Sequence, residues 1–157
     1  MSKVLLLNGP CFNFQGIIEP GIYGSTTVKQ IEDRVSSSLA KRNIIYESFQ
    51  SNSENEIIFW LNKQSGADFL LLNPGTLAHR SLRLRDVVLK MKVPFVEVHL
   101  TNFYNFQESS YCSIFSDISI GSLLGLGLKG FSLASNLAAD FLEQKNEEKT
   151  KLIKSIS

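Results

Sequence analysis

Proton transfer near neutral pH needs side chains that can gain or lose a proton there, and this chain offers few. Its two histidines are His79 and His99, and an imidazole changes charge close to neutrality. Tyr23 adds a loop phenol, which unperturbed ionises only near pH ~10. Cys11 has no basic neighbour in sequence and reads better as a small packed side chain than as a nucleophile. Cys11 and Cys112 are 101 positions apart, a poor basis for a disulfide framework. Two cysteines and two histidines at unrelated spacings do not make a Zn site, so no metal or other cofactor is expected. Each candidate also has a bland reading: His99 as a satisfied core histidine, His79 as an ordinary loop residue, Tyr23 as a packed loop aromatic.

The elements that must position these residues follow from the hydrophobic pattern. Val4–Leu7 is a strand that ends at Asn8-Gly9-Pro10, a turn signal. Residues 11–25 have several glycines, a proline and no period, so they read as a long loop of the kind that often forms a lid. Ser25-Thr26-Thr27 can cap a helix whose apolar positions Val28, Ile31, Val35 and Leu39 share one face. Ile44–Phe49 is the second strand. Ser53 opens a capping box with Glu56, ahead of a helix burying Ile57, Trp60 and Leu61. Phe69–Leu72, apolar throughout, is a strand covered on both faces. Ser81 starts a helix with Leu82, Leu84, Val88 and Leu89. Val93–Leu100 and Ile118–Leu124 are the last strands, and a final helix is expected near Phe131–Glu143.

Strands alternating with helices imply a parallel α/β sheet covered on both faces, wound by right-handed crossovers. Ligands of such sheets bind at the carboxyl ends of the strands. The loops 8–24, 73–80 and 99–113 are therefore where chemistry belongs. They bring His99 near Asn73 and His79 on the neighbouring strand end. That favours a functional reading of the histidines, yet it names no reaction.

Composition narrows the field. A net charge of +1 and a pI near 7.7 give no electrostatic reason to bind nucleic acid or an anionic membrane. No apolar run reaches the roughly 18–20 residues of a spanning helix, and Val4–Leu7 is too short for a signal sequence core, so a cytoplasmic protein is expected. With 157 residues the chain is expected to form one domain over 1–143, followed by a charged, frayed tail over 144–157.

Seven short segments carry a family resemblance. They are Asn8-Gly9-Pro10; Glu19-Pro20 with Tyr23-Gly24-Ser25-Thr26-Thr27; Phe49-Gln50-Ser51-Asn52; Asn73-Pro74-Gly75 with His79; Arg85-Asp86; Glu97-Val98-His99; and Gly125-Leu126-Gly127 with Gly130. In that order and at those separations, from Lys3 to about Phe141, the chain resembles type II 3-dehydroquinate dehydratase. The resemblance implies a flavodoxin-like three-layer sandwich with strand order 2-1-3-4-5, and a homo-oligomer of trimers assembling to a dodecamer. It implies a lyase of the shikimate pathway or of quinate breakdown, acting on a small-molecule carboxylate. Water is eliminated from 3-dehydroquinate through an enolate to give 3-dehydroshikimate. By the same resemblance Tyr23 is the base and His99 the acid, with Glu97 holding the imidazole. Asn73 and His79 contact substrate, the backbone N–H groups of Leu100 and Thr101 hold its carboxylate, and Asp86 reaches a neighbouring subunit's site.

Three positions depart from the family pattern: Ile18 and Ser110 stand where arginines are usual, and Cys11 where asparagine is usual. A cation beside a phenol lowers its pKa by roughly 1–3 units. Its loss from beside Tyr23 corresponds to about 10- to 1,000-fold less phenolate. Losing the asparagine near the enolate removes about another 10²-fold, and losing the second arginine weakens orientation. Arg80 or Arg83 could return positive charge to the pocket; the plainer reading of each is a solvated helix-start or subunit-contact arginine. Two alternatives to a dehydratase of reduced activity stand beside it: a non-catalytic paralogue acting as an oligomeric binding or scaffold protein, and an enzyme of altered substrate. The aromatic residues Phe12, Phe14, Phe103, Tyr104 and Phe106 in the pocket loops suit an interface or lid core, or a pocket for a less polar ligand.

Overall fold

The computed structural model describes residues 1–10, 26–105 and 112–156. Five parallel strands form one sheet: β1 (Lys3–Asn8), β2 (Ile45–Gln50), β3 (Phe69–Asn73), β4 (Phe95–His99) and β5 (Gly121–Leu124). Their order is β2-β1-β3-β4-β5, the flavodoxin-like arrangement expected. Among the described residues four α-helices cover it: α1 (Val28–Ala40), α2 (Glu54–Lys63), α3 (Leu82–Met91) and α4 (Leu128–Ile156).

The period of two along each strand divides the core into two layers. Val4, Leu6, Phe69, Leu71, Val96 and Val98 face Ile31, Val35 and Leu39 of α1 and Phe131, Ala134 and Ala138 of α4. Leu5, Leu7, Leu70, Leu72 and Phe95 face Ile57 and Leu61 of α2 and Leu84, Val87 and Val88 of α3. All five residues of β3 are buried, as a central strand between two helical layers requires. Each fully buried leucine there contributes roughly 1.5–3 kcal/mol.

Local chemistry starts the helices where the sequence expects. Thr27 caps α1 in a closed capping box: its hydroxyl accepts from the Gln30 N–H, and the Gln30 side chain accepts from the Thr27 N–H. At α2 the box stays open. Ser53 accepts from the Glu56 N–H, but the Glu56 carboxylate turns to the Ser51 hydroxyl, which itself accepts from the Ser53 N–H. Trp60 is only partly buried and stacks on Phe49 at 5.2 Å. On α3 the buried set is Leu84, Val87 and Val88, whereas Leu82 and Leu89 are exposed.

Element ends shift for identifiable reasons. β4 begins at Phe95 rather than Val93, because Lys92 adopts a left-handed conformation at φ 53° and Pro94 has no N–H to give. β5 begins at Gly121 rather than Ile118, since the Ile118 and Ser119 amides bond back to the Phe115 carbonyl. α4 starts at Leu128 and continues to Ile156, past the expected end at Glu143. Residues 144–156 contain neither Gly nor Pro and are rich in Lys and Glu, good helix formers. No helix among the described residues is long and apolar enough to cross a membrane.

Candidate active site

The carboxyl ends of β1, β3 and β4 bring together Asn8, Asn73, Glu97 and His99, all buried. Asn8 and Asn73 are register partners at the ends of β1 and β3, and the Asn73 side-chain amide donates to Asn8 Oδ1 at 3.1 Å. Asn8 Nδ2 has no hydrogen-bond partner among the described residues. The turn that follows is tight: Gly9 donates to the Asn73 carbonyl at 2.8 Å, and a Cβ on Gly9 would stand 2.3 Å from the Pro74 oxygen. Only glycine lets the two strand ends approach this closely.

Residues 97 and 99 are two apart on β4, so they project from the same face of the sheet. His99 Nε2 lies 2.6 Å from Glu97 Oε1. Glu97 is fully buried and His99 is 7% exposed. The other carboxylate oxygen, Oε2, accepts from the Ser116 and Ser122 hydroxyls, each at 3.4 Å. Burial alone would push this carboxyl up. Hydrogen bonds from His99 and Ser113, the His99 charge and the Ser116 hydroxyl outweigh it and hold Glu97 below its ordinary pKa. An ionised carboxylate only accepts, so it keeps a proton on Nε2 and leaves Nδ1 as the ring nitrogen available to a substrate.

His79 ends the 3-10 turn Gly75–His79, and its Nδ1 contacts the Cys112 carbonyl at 2.9 Å. The two histidines meet through Phe103. This buried ring packs edge-on against both imidazoles, with centroids 5.0 Å from each. Leu100 is buried and Thr101 half-buried where the chain leaves β4, and the Leu100 carbonyl accepts from Gly127. Gly125 closes this end at φ +75°, where a Cβ would stand 2.8 Å from Asn102 Cβ.

Asp86, expected to serve a neighbouring subunit's site, is exposed on the second turn of α3. Arg83 is exposed and donates to Asn55 of α2. Arg80 is exposed. Arg85 forms a two-pronged pair with Asp117 and also donates to the Ile114 carbonyl, which ties the 112–120 segment to α3. Tyr23, Cys11, Ile18 and Ser110 lie outside the described residues, as do Phe12, Phe14 and Phe106. Among the described residues no group of three or more His, Cys, Asp and Glu could hold a metal ion, and Cys112 is free and exposed. A groove of about 720 Å³ between α1 and α4 shares no lining residue with the buried cluster.

Sequence reasoning singled out neither Asn8 as a site residue nor the serines on Glu97. Asn8 was legible, as a polar residue closing an apolar strand. Ser116 and Ser122 carried no signal, because only strand pairing and the 112–120 turn bring them to Glu97.

Comparison with known proteins agrees with this geometry. The dehydroquinase class II family model matches residues 2–139. The 3-dehydroquinate dehydratase of Thioalkalivibrio sulfidiphilus is 44% identical over 148 residues, covering 93% of this chain and 100% of that protein. The enzyme of the same name from Mannheimia succiniciproducens is 41% identical, covering 92% and 97%. The crystal structure of type II dehydroquinase from Butyrivibrio crossotus superposes with a TM-score of 0.82 at 31% identity, over 87% of this chain and 97% of that one. With the sheet order, the buried Glu97–His99 pair and these matches in hand, the chain belongs to the class II dehydroquinase family.

Proposed function

We propose that the chain eliminates water from 3-dehydroquinate through an enolate, with Tyr23 as base and His99 as acid. The observation that carries this reading is the buried Glu97–His99 pair at the carboxyl end of the sheet. Tyr23 as phenolate takes the proton from the carbon beside the ketone, and the C–H electrons pass onto the ketone oxygen. The enolate then re-forms the carbonyl and expels the hydroxyl group. That group takes the proton from His99 Nδ1 and leaves as water. His99 ends neutral with its remaining proton on Nε2, still held by Glu97, and Tyr23 ends as a phenol. Proton exchange with solvent restores both. Asn73 and His79 hold the substrate ring, the Leu100 and Thr101 amides hold its carboxylate, and Asp86 serves a neighbouring subunit within an oligomer of trimers. A cytoplasmic location belongs to the same reading.

Ile18, Cys11 and Ser110 set the rate in this proposal. Without a guanidinium beside it, the Tyr23 phenol stays mostly protonated at pH 7, and turnover is roughly 10- to 1,000-fold below that of a site with the arginine. The test is purified protein with 3-dehydroquinate, followed by the enone absorbance of the product. Slow turnover abolished by Tyr23→Phe and by His99→Ala supports the mechanism. No turnover in the natural chain, with recovery on Ile18→Arg plus Cys11→Asn and Ser110→Arg, would replace it with the reading of a non-catalytic binding or scaffold protein.

A further inference from the structure

The Glu97 carboxylate is enclosed on two sides by different elements. One oxygen serves His99; the other is met by hydroxyls whose positions the backbone dictates. Ser122 is the register partner of Glu97 on β5, so parallel pairing sets it beside the carboxylate. Ser116 sits in the turn Ile114–Ile118, which is fixed at both ends. The Ile114 amide donates to the Ala78 carbonyl at 2.8 Å, and Asp117 is gripped by Arg85. Both serines are exposed while Glu97 is not, so they stand between a buried charge and solvent. At 3.4 Å each bond is long, and two such donors share one oxygen.

We propose that Ser116 and Ser122 are positioning residues for His99: their hydroxyls hold the outer oxygen of Glu97 and thereby fix the orientation and charge preference of the imidazole. This rests on His99 being the acid of the proposed reaction. The physical chain has two steps. A buried carboxylate that keeps His99 and Ser113 but loses two other hydroxyl donors is harder to ionise. A less ionised Glu97 then offers less to a protonated ring bonded to it. The ionisable groups around the pair, among the described residues, are few. His79 lies beyond Phe103, Tyr104 packs on Phe103, and Asp117 beside Ser116 is committed to Arg85. β3 places Leu72 opposite Glu97, and β5 places Leu124 opposite His99. Ser116 and Ser122 are thus neutral donors, beside Ser113, whose removal changes the surroundings of Glu97 without adding or removing a charge.

The chain's two histidines allow a direct readout by NMR titration of their ring protons in the whole protein, without substrate. In the Ser116→Ala/Ser122→Ala double variant the titration midpoint of His99 is expected to fall by about one unit, a tenfold loss of proton affinity. The His79 midpoint should stay in place, and the Ser116→Ala/Ser122→Thr variant, which keeps one hydroxyl, should recover part of the shift. A folded double variant whose His99 midpoint equals that of the natural chain overturns the proposal. Should the double variant not fold, the two single variants decide it: a smaller downward shift in each supports the role, and no shift in either overturns it. Absence of turnover would sink the dehydratase reading while leaving this measurement intact, so the two failures are separable.

Discussion

Two ionisable groups on the same sheet answer burial in opposite ways. Glu97 on β4 is fully enclosed, yet its carboxyl is held below the ordinary range because an imidazole and serine hydroxyls converge on it. Tyr46 on β2 is mostly buried, and its hydroxyl has no hydrogen-bond partner among the described residues. The neighbouring Ser48 gives its proton to Glu32 at 2.8 Å, and its pull on the phenol is too weak to offset burial. Burial therefore dominates and pushes the Tyr46 phenol up to about 12. Desolvation always opposes charge; the donors that reach the group decide whether it wins. At the carboxyl end of the sheet the fold supplies those donors. On the edge strand it does not.

The sharpest way to break this comparison is to remove the partner at the well-served site. His99→Ala leaves a buried carboxylate short of its strongest donor and should cost about 3–5 kcal/mol at pH 7 by urea unfolding. The cost should shrink in acid as Glu97 takes up a proton. A loss under about 1 kcal/mol at pH 7 would mean that water or neighbouring groups serve the carboxylate as well as His99 does.

A smaller effect separates the two groups by pH. The folded-state value of Glu97 is depressed, so its contribution is full above the ordinary carboxyl value of 4.5 and is lost as pH falls through the folded value. Tyr46 is raised, so its contribution is full below the ordinary phenol value of 10.0 and is lost as pH climbs toward about 12. Unfolding curves across pH should show an acid limb that Glu97→Gln weakens and an alkaline limb that it leaves unchanged. If Glu97→Gln leaves the acid limb as it was, the limb belongs to other carboxyls.

The smallest expected effect sharpens the contrast from the other side. Tyr46→Phe removes a hydroxyl with no hydrogen-bond partner among the described residues, so it should be neutral or stabilising by up to about 1 kcal/mol. It should also flatten the alkaline limb. A clear destabilisation would show that the hydroxyl has a partner, through water or another chain.

The same contrast shows what was legible in the residues alone. The unbroken apolar run Phe69–Leu72 announced a central strand, and Thr27 announced the start of α1. Both depend on nearest-neighbour chemistry, which a sequence states directly. The capping box at Ser53 was half legible, because Glu56 had a second serine within reach at position 51 and turned to it. The Ile118 boundary failed because a helical turn used the amides that a strand would have offered to its neighbour.

The sequence by itself determined the alternating parallel sheet and, through the resemblance carried by the family motifs, its flavodoxin-like order and the expectation that Glu97 holds His99. Only the tertiary structure decided that Ser116 and Ser122 close over that carboxylate, that Phe103 stands between the two imidazoles, and that burial outweighs what reaches the Tyr46 phenol. The physical reason is range. Periodicity and caps are set by residues within one turn or one pleat, whereas the donors that fix a buried charge arrive from strands and turns about 20 positions away.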